Sequence, residues 1–134
     1  DSMSLSPVFV FKNSTIIHAL EIMKSFCADC MPVINEDFSI IGILNKRKII
    51  KQINEENFLN EIKTKTVEEL LDTQSASIVL YQRMTILEAY SIMKCLDVNG
   101  LPVADLPWEK KMIGYLWLDD IENIIEENYM QISV

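Results

Sequence analysis

TIIHALEIMK at residues 15–24 returns as TILEAYSIMK at residues 85–94, 70 positions further along the chain. After a longer turn in the second copy the offset becomes 72, and IGIL at residues 41–44 matches IGYL at residues 113–116. Self-similarity at a fixed period indicates one structural unit used twice, here a unit of about 60 residues. Neither copy can bury both faces of its elements alone, so we expect the two copies to pack on each other.

Both copies show the same order of secondary structure. Ile16, Ala19, Leu20 and Met23 follow the i, i+3, i+4, i+7 spacing of a buried helix face, and the second copy repeats the pattern. Thr85-Ile86-Leu87-Glu88 has the form of a capping box, which satisfies backbone donors at a helix start. Strands are predicted at 8–11, 31–34 and 39–44 in the first copy and at 78–81, 101–104 and 111–116 in the second. The unit is therefore β-α-β-β-α, and the chain has an α+β, sandwich-like fold.

Proline interrupts one predicted strand of each copy, in MPV at residues 31–33 and LPV at residues 101–103. Because proline donates no hydrogen bond to a ladder, we expect these strands to lie at a sheet edge or to begin at the proline. The stretch 51–65 is polar and joins the copies. Residues 1–65 are assigned to the first repeat with its linker, and residues 66–134 to the second.

Composition narrows the classes of function. The 134 residues include 20 acidic and 12 basic side chains, which gives a formal net charge of −8. Surfaces that bind nucleic acid or anionic lipid need clustered Lys and Arg, so neither partner is expected. No apolar run approaches the roughly 18 residues that span a bilayer, so no membrane insertion is expected.

The chain shows no convincing catalytic or metal site. Cys27 and Cys30 form a CxxC, but a tetrahedral zinc site needs four ligands and His18 is the single histidine. Only three glycines are present and none are clustered, so a phosphate loop is absent. An enzyme would need converging carboxylates, such as Asp29 with Asp97. We expect no enzyme activity, no metal and, from three cysteines that cannot all pair, a reducing, cytoplasmic setting.

The chain resembles the tandem CBS domain pair, or Bateman module. The likeness is carried by Thr85–Met93, Gly100–Val103 and Gly114–Ile121. Thr66–Leu71 is similar to the lead-in that opens a CBS repeat, and Asp1–Ser4 is similar to the end of that lead-in, with a tag remnant as the alternative. The resemblance implies two pseudo-twofold-related CBS repeats that form a regulatory piece of a longer protein.

What the resemblance implies for function is ligand sensing. CBS pairs commonly bind AMP, ADP, ATP or S-adenosylmethionine between the repeats and control an attached or partner effector. Candidate effectors are a chloride channel, a magnesium or cation transporter, a nucleotide-biosynthesis enzyme and a kinase regulatory subunit. The alternative is a dimerisation scaffold that binds no ligand. A homodimer is expected, because two helix faces carry more apolar surface than one small core can bury. These faces comprise Ile16, Leu20 and Met23 in the first repeat and Ile86, Tyr90 and Met93 in the second.

The resemblance also implies a nucleotide site in the second repeat. Asp120 falls on the family's ribose-binding aspartate, and Trp117 stands where the family has a phosphate-binding Ser or Thr. In the first repeat the corresponding positions hold Asn45 and Lys48, so one site per chain is expected. The predicted nucleotide-binding residues are Ser4, Ser6, Pro7, Val8, Lys48, Leu101, Pro102, Trp117, Asp119 and Asp120.

Each of these residues also has a simpler interpretation. Asp120 has the position of an acid that interacts with a helix dipole, and Trp117 that of an aromatic in the core or at its rim. The basic run Lys46–Lys48 is either a solvated helix face or a cation group that neutralises a bound phosphate.

Overall fold

A computed structural model describes residues 3–4, 8–71 and 78–130, and for residues 3, 4, 129 and 130 the backbone alone. The first half contains β1 (Met3–Ser4), β2 (Val10–Phe11), α1 (Ile16–Phe26), β3 (Cys30–Ile34), β4 (Ile40–Asn45) and α2 (Lys46–Glu56). A 3₁₀ turn (Leu59–Glu61) leads to the second half, which contains α3 (Val67–Leu71), β5 (Leu80–Tyr81), α4 (Ile86–Leu96), β6 (Gly100–Ala104), β7 (Met112–Trp117) and α5 (Leu118–Ile125). A π-helical turn, Glu126–Met130, extends α5.

The order β-α-β-β-α is confirmed in both repeats, as is the mixed α+β class. One sheet has the strand order β2-β3-β4, and the other has the order β1-β7-β6-β5. In each sheet the first two strands of the repeat are parallel and the last two antiparallel. The described strands near residues 8 and 78 are shorter than predicted, with two residues each.

The segments before each repeat cross to the other half of the molecule. β1 pairs antiparallel with β7 of the second repeat, where Met3 faces Leu116 and Ser4 faces Tyr115. α3 precedes the second repeat but packs on β4 of the first, where Leu71 lies over Gly42. A side chain at Gly42 would collide with Leu71, so glycine permits this close approach. The division of the chain at residues 65 and 66 stays a prediction.

The expectation of proline in edge strands is wrong. β3 and β6 lie in the middle of their sheets. However, β2 pairs with β3 only at Val33 and Ile34, and β5 pairs with β6 only from Val103 onward. At Pro32 and Pro102 the strand therefore has a partner on one side alone, which leaves room for a residue that cannot donate.

The two helices that follow the first strands start differently. Thr85 accepts from the Glu88 N–H at 3.1 Å, and the Glu88 carboxylate accepts from the Thr85 N–H at 2.9 Å, which confirms the predicted capping box. These hydrogen bonds from Thr85 lower the pKa of Glu88. Thr15 accepts from the His18 N–H at 3.2 Å, but the first two N–H groups of α1 donate to the linker carbonyls of Lys65 and Ile62.

Two core clusters each draw side chains from both repeats. Tyr115 of β7 joins the cluster around α1 and α2, while Cys30 of β3 joins the cluster around α4 and α5. Ile16, Met23 and Met93 are fully buried in these clusters. The apolar helix faces that suggested a second copy are therefore largely used inside the protein, and the homodimer stays a prediction without that argument.

No helix in the described part of the chain is long and apolar enough to cross a membrane.

Candidate functional site at the junction of the repeats

The second helices of the two repeats begin side by side. The first N–H of α2, from Lys46, donates to the Asp29 carbonyl at 2.9 Å, and the first N–H of α5, from Leu118, donates to the Asn99 carbonyl at 2.8 Å. Asp29 and Asn99 occupy equivalent positions, 70 residues apart, just before the central strands. The junction therefore brings together the starts of both helices, the place where the sequence predicted ligand contacts.

Asp29 and Asn99 hold the two repeats together through reciprocal hydrogen bonds. The Asp29 N–H donates to Asn99 Oδ1 at 2.9 Å, and the Asn99 N–H donates to Asp29 Oδ2 at 3.0 Å. Asn99 Nδ2 also donates to the Cys27 carbonyl at 2.6 Å. Sequence reasoning missed this pair, although the offset of 70 that defines the repeat aligns the two positions.

A charged contact lies beside this pair. Arg47 Nη2 donates to the Asp97 carbonyl at 2.7 Å, and its guanidinium lies 3.6 Å from the Asp97 carboxylate. Asp97 therefore pairs with Arg47, while Asp29 bonds with Asn99. The two acids named in the enzyme interpretation are thus each bonded to a residue of the opposite repeat.

Tyr115 fills the interior behind the junction. Its side chain is fully buried, and its hydroxyl donates to the Cys30 carbonyl of β3 at 2.7 Å. The ring lies over Gly100, where a Cβ atom would collide with it. Burial raises the pKa of Tyr115 well above its ordinary value, and burial followed by the charge of Asp29 raises the pKa of Cys30 to about 11. Both groups are neutral hydrogen-bonding or packing groups at neutral pH, which fits a structural role.

Trp117 ends β7 and precedes the first turn of α5. Its ring centroid lies 4.8 Å from that of Tyr115 with a 59° angle between the planes. The indole is half-buried against the first core cluster, and it supplies no side-chain cap to α5. These contacts favour the interpretation of Trp117 as an aromatic at the rim of the core, and stacking on a base stays a prediction.

Asp119 and Asp120 lie in the first turn of α5, as predicted. Asp120 is half-buried, whereas Asp119 is exposed and lines a groove between α4 and α5. Carboxylates in this turn are stabilised by the positive end of the helix dipole. The two acids therefore differ in their surroundings, since Asp119 faces the groove and Asp120 is the less exposed of the two.

The other residues predicted to bind the nucleotide are only partly brought together. Leu101 and Pro102 are buried on β6 and face Leu116 and Tyr115 of β7 across the ladder. The backbone of Ser4 on β1 lies on the other side of β7, so a whole strand separates it from Leu101 and Pro102. Val8 is fully buried in the first core cluster, which leaves its side chain no surface for a ligand. Ser6 and Pro7 lie outside the described residues.

Lys48 lies in the other repeat. It is exposed in the first turn of α2, at the position that corresponds to Asp120, and its N–H donates to Asn45 Oδ1 at 3.2 Å. In the described part of the chain no hydrogen bond or ion pair joins Lys48 to Asp120. A shared site that contains both side chains stays a prediction. Among the described residues there is also no group of three or more metal-ligating side chains.

A second set of contacts joins the repeats at the opposite ends of the central strands. The Ile40 N–H donates to the Lys110 carbonyl at 2.8 Å, and the Met112 N–H donates to the Phe38 carbonyl at 2.9 Å. Lys111 Nζ lies 3.4 Å from the Asp37 carboxylate. Hydrogen bonds from Ser39, then the contact with Lys111, lower the pKa of Asp37 to about 2. Hydrogen bonds thus join the two repeats at both ends of the central strands.

The comparisons with known proteins agree with this geometry. Residues 2–55, which span the first repeat, match the family model of the CBS domain. The two halves share one topology around a common seam, and solved CBS pairs share the whole fold. Residues 2–55 therefore match a CBS domain, and the whole chain has the fold of a tandem CBS pair.

Two solved structures show the shared fold. One is a CBS domain pair in complex with 5′-methylthioadenosine and S-adenosyl-L-methionine, with a TM-score of 0.70 and 20% identity over 95% of this chain and 94% of that chain. Another is a CBS domain pair/ACT domain protein from Thermotoga maritima, with a TM-score of 0.73 and 17% identity over 96% of this chain and 95% of that chain. At these identities the likeness shows the fold.

Curated relatives are much longer than this chain. Inosine-5'-monophosphate dehydrogenase of Aquifex aeolicus is 29% identical over 119 residues, which cover 89% of this chain and 22% of that protein. The chain spans about a fifth of the length of the curated relatives it matches.

Proposed function

We propose that this CBS pair senses an adenosine-containing ligand at the start of α5 and passes its occupancy to an effector protein. The observation that carries the proposal is Asp120, a half-buried carboxylate in the first helical turn beside the junction of the repeats. A carboxylate accepts hydrogen bonds from both vicinal hydroxyls of a ribose. The relative that binds 5′-methylthioadenosine and S-adenosyl-L-methionine supports adenosine compounds as the ligand class.

The charges around Asp120 favour a ligand without a polyphosphate chain. Asp119 and Asp120 put two carboxylates into one helical turn, and Trp117 supplies no cation. Lys48 belongs to the other repeat, and the whole chain carries a net charge of −8. A triphosphate would approach this acidic turn against repulsion, whereas the sulfonium of S-adenosylmethionine would not. We expect S-adenosylmethionine to bind more tightly than AMP, and AMP more tightly than ADP or ATP.

Isothermal titration tests the site. Titrating S-adenosylmethionine, AMP, ADP and ATP into the wild-type chain is expected to give one site per chain. Asp120→Ala is expected to weaken the best ligand by about 1.5–3 kcal/mol, the range for hydrogen bonds to a charged group. Two sites per chain, or unchanged affinity in Asp120→Ala, would contradict the assignment of the ligand to Asp120.

Two control variants sharpen this test. Glu127→Gln removes an exposed carboxylate beyond the end of α5 and is expected to leave affinity unchanged. Lys48→Ala is expected to weaken ADP and ATP more than adenosine if its ammonium neutralises phosphate. An equal loss for all ligands would instead assign Lys48 a general structural role.

The second candidate function is a scaffold that binds no ligand. Its support is the packing of Trp117 on Tyr115, together with the full burial of Val8, because these side chains already fill space near the predicted site. A thermal-shift screen separates the two functions, since a ligand at 100 times its Kd stabilises the fold by about 2.7 kcal/mol. No shift with any adenosine compound would favour the scaffold.

The proposal includes a regulatory, non-catalytic role within a longer protein. The curated relatives that this chain matches are several times its length, which supports an attached effector. A homodimer and a cytoplasmic setting belong to the same proposal. The cysteines are consistent with a reducing setting, since Cys27, Cys30 and Cys95 are all free thiols.

A further inference from the structure

Asn99-Gly100 is the only asparagine in the chain that is followed by glycine, and it lies where the two repeats meet. In such a dipeptide the backbone nitrogen of the glycine can attack the side-chain amide carbon of the asparagine, because no Cβ atom shields that nitrogen. Glycine at position 100 makes room for the Tyr115 ring, and asparagine at position 99 bonds to Asp29 and Cys27. The contacts that join the repeats therefore create a chemically reactive dipeptide.

The reaction open to this dipeptide is deamidation. The Gly100 nitrogen gives up its proton and forms a bond to Asn99 Cγ, and the Cγ–Nδ2 bond breaks so that ammonia leaves. Water then opens the resulting succinimide ring at either of its carbonyl carbons. Opening at Cγ gives aspartate, and opening at the main-chain carbonyl carbon gives isoaspartate, in which the backbone runs through Cβ and Cγ. Water is the only co-reactant, and nothing is oxidised or reduced.

The hydrogen bonds of the folded junction hold Asn99 back from this reaction. Asn99 Oδ1 accepts from the Asp29 N–H at 2.9 Å, and Nδ2 donates to the Cys27 carbonyl at 2.6 Å. The Asn99 N–H donates to Asp29 Oδ2 at 3.0 Å, and the Asn99 carbonyl accepts from the Leu118 N–H at 2.8 Å. Attack needs a mobile side chain, because Cγ must swing over the Gly100 nitrogen and Nδ2 must leave. The side-chain hydrogen bonds to the first repeat therefore have to break first.

Either product would weaken the contact between the repeats. Aspartate puts a second charge beside the Asp29 carboxylate, and an oxygen where Nδ2 now donates to the Cys27 carbonyl, so an attraction becomes a repulsion. Isoaspartate also adds a carbon to the backbone, which displaces the Asn99 carbonyl that accepts from the first N–H of α5. A junction that is modified while open therefore cannot close as before.

We propose that Asn99 is a deamidation site gated by the junction, protected while the repeats are joined and modified when they separate there. Asn99 is half-buried, so its contacts can open without the unfolding of either core cluster. Because the chemistry is slow compared with opening and closing, its rate follows the fraction of molecules that are open. Modification then makes the opening irreversible. Asn99, Gly100 and Asp29 are not proposed ligand contacts, so the inference does not depend on the proposed function.

Peptide mapping by mass spectrometry measures the protection. The wild-type chain is incubated at mildly alkaline pH beside a synthetic peptide of residues 94–104, and the mass gain at Asn99 is followed with time. The folded chain is expected to deamidate at least about tenfold more slowly than the peptide, since only its open fraction reacts. Equal rates in the folded chain and the peptide would overturn the protection by the junction.

Two substitutions at Asp29 test the gate. Asp29→Ala removes the carboxylate that accepts from the Asn99 N–H, and it is expected to speed deamidation by roughly tenfold or more. Asp29→Asn removes the charge but keeps a side-chain oxygen as acceptor, so its rate is expected to stay close to that of the wild-type chain. Thr85→Ala is the matched control, because it weakens the cap at the end of α4 that lies far from Asn99.

Global stability is equalised before the rates of the variants are compared. Urea brings Asp29→Ala and Thr85→Ala to the same free energy of unfolding. A faster reaction of Asp29→Ala under these conditions is the expected result. Equal rates would assign the reaction to global unfolding and overturn the gate, as would an unmodified Asp29→Ala chain when the peptide has reacted.

The modified protein itself gives a further test. Ion exchange separates the deamidated chain through its extra negative charge, and thermal unfolding compares it with the unmodified chain. We expect the deamidated chain to unfold at a lower temperature, and the isoaspartyl form to be the less stable of the two products. An unchanged unfolding temperature would overturn the conclusion that modification keeps the junction from closing.

Discussion

Two facing positions distinguish the second repeat from the first at the level of single residues. Gly100 and Tyr115 correspond to Cys30 and Ile43 of the first repeat. The large ring of Tyr115 fits because Gly100 has no Cβ atom, and its hydroxyl reaches Cys30 of the other repeat. A glycine in a central strand, which would otherwise weaken the strand, is here part of the packing between the repeats.

Gly100→Ala is therefore expected to destabilise the fold by about 1–3 kcal/mol, the usual cost of overpacking a core. The same substitution in a Tyr115→Ile background is expected to cost much less, because the first repeat tolerates Cys30 beside Ile43. Urea unfolding of the four chains of this double-mutant cycle measures the difference. Equal losses of stability in both backgrounds would show that the Tyr115 ring does not limit the size of the side chain at position 100.

A second residue-scale prediction concerns alkaline pH. The pKa of Tyr115 is raised in the fold above its ordinary value of 10.0, and that of Cys30 above 9.0, chiefly by burial. As the pH rises, the unfolded chain therefore loses these protons before the folded chain does. The free energy of unfolding thus has its full value below about pH 9 and decreases as the pH rises above it. Tyr115→Phe is expected to cost about 0.5–1.5 kcal/mol near neutral pH through the lost hydrogen bond.

The same variant is expected to show a shallower alkaline loss than the wild-type chain, since one of the two titrating groups is gone. Urea unfolding at about pH 7 and about pH 10.5 gives both quantities. Parallel pH dependences of the two proteins would mean that Tyr115 ionises equally easily when folded.

At the level of elements, sequence patterns predicted most of the architecture. Helical spacing and the repeat offset were enough to place both helices and the central strands, because each pattern occurred twice. The strands with proline were misplaced, since nothing local indicates that β2 and β5 are two residues long and stop short of Pro32 and Pro102. The crossing of α3 to β4 depends on a contact between Leu71 and Gly42 that no local pattern reports.

The N-termini of α1 and α4 are expected to differ in how strongly they depend on their capping threonines. Thr85→Ala is expected to destabilise the fold by about 0.5–2 kcal/mol, because the Glu88 N–H loses its acceptor. Thr15→Ala is expected to cost less, since the linker carbonyls still hold the first N–H groups of α1. Thermal unfolding compares the two, with Thr85→Ser as the control that keeps the hydroxyl. A larger loss from Thr15→Ala would show that the linker does not secure α1.

At the scale of the whole molecule, the candidate site was only partly predictable. The position of Asp120 in a first helical turn followed from the repeat, but its surroundings did not, since they come from the packing of two copies. The Asp29–Asn99 pair forms between loops of different repeats, so neither residue shows its role in its own neighbourhood.

Asn99→Asp tests how firmly that pair ties the repeats. The new carboxylate would face both Asp29 and the Cys27 carbonyl, which now accepts from Asn99 Nδ2. We expect a loss of about 1–3 kcal/mol at neutral pH. Repulsion raises the pKa of the new acid in the folded state, so the penalty grows as the pH rises past its unfolded value and shrinks below about pH 4. Thermal unfolding at neutral pH and below about pH 4 measures this destabilisation. Asn99→Ala is the control, because it loses the side-chain hydrogen bonds without adding a group that titrates.

The exchanged lead-in segments also bear on how the chain folds during synthesis. Met3 leaves the ribosome well before its partner Leu116, which is made more than a hundred residues later. The emerging first repeat also lacks Leu71 over Gly42 and Tyr115 within its core cluster until later residues are made. Such distant pairings raise the contact order, which slows folding. The nascent first repeat therefore cannot complete its native packing until the second repeat has been made. We expect the two repeats to fold in a single cooperative step.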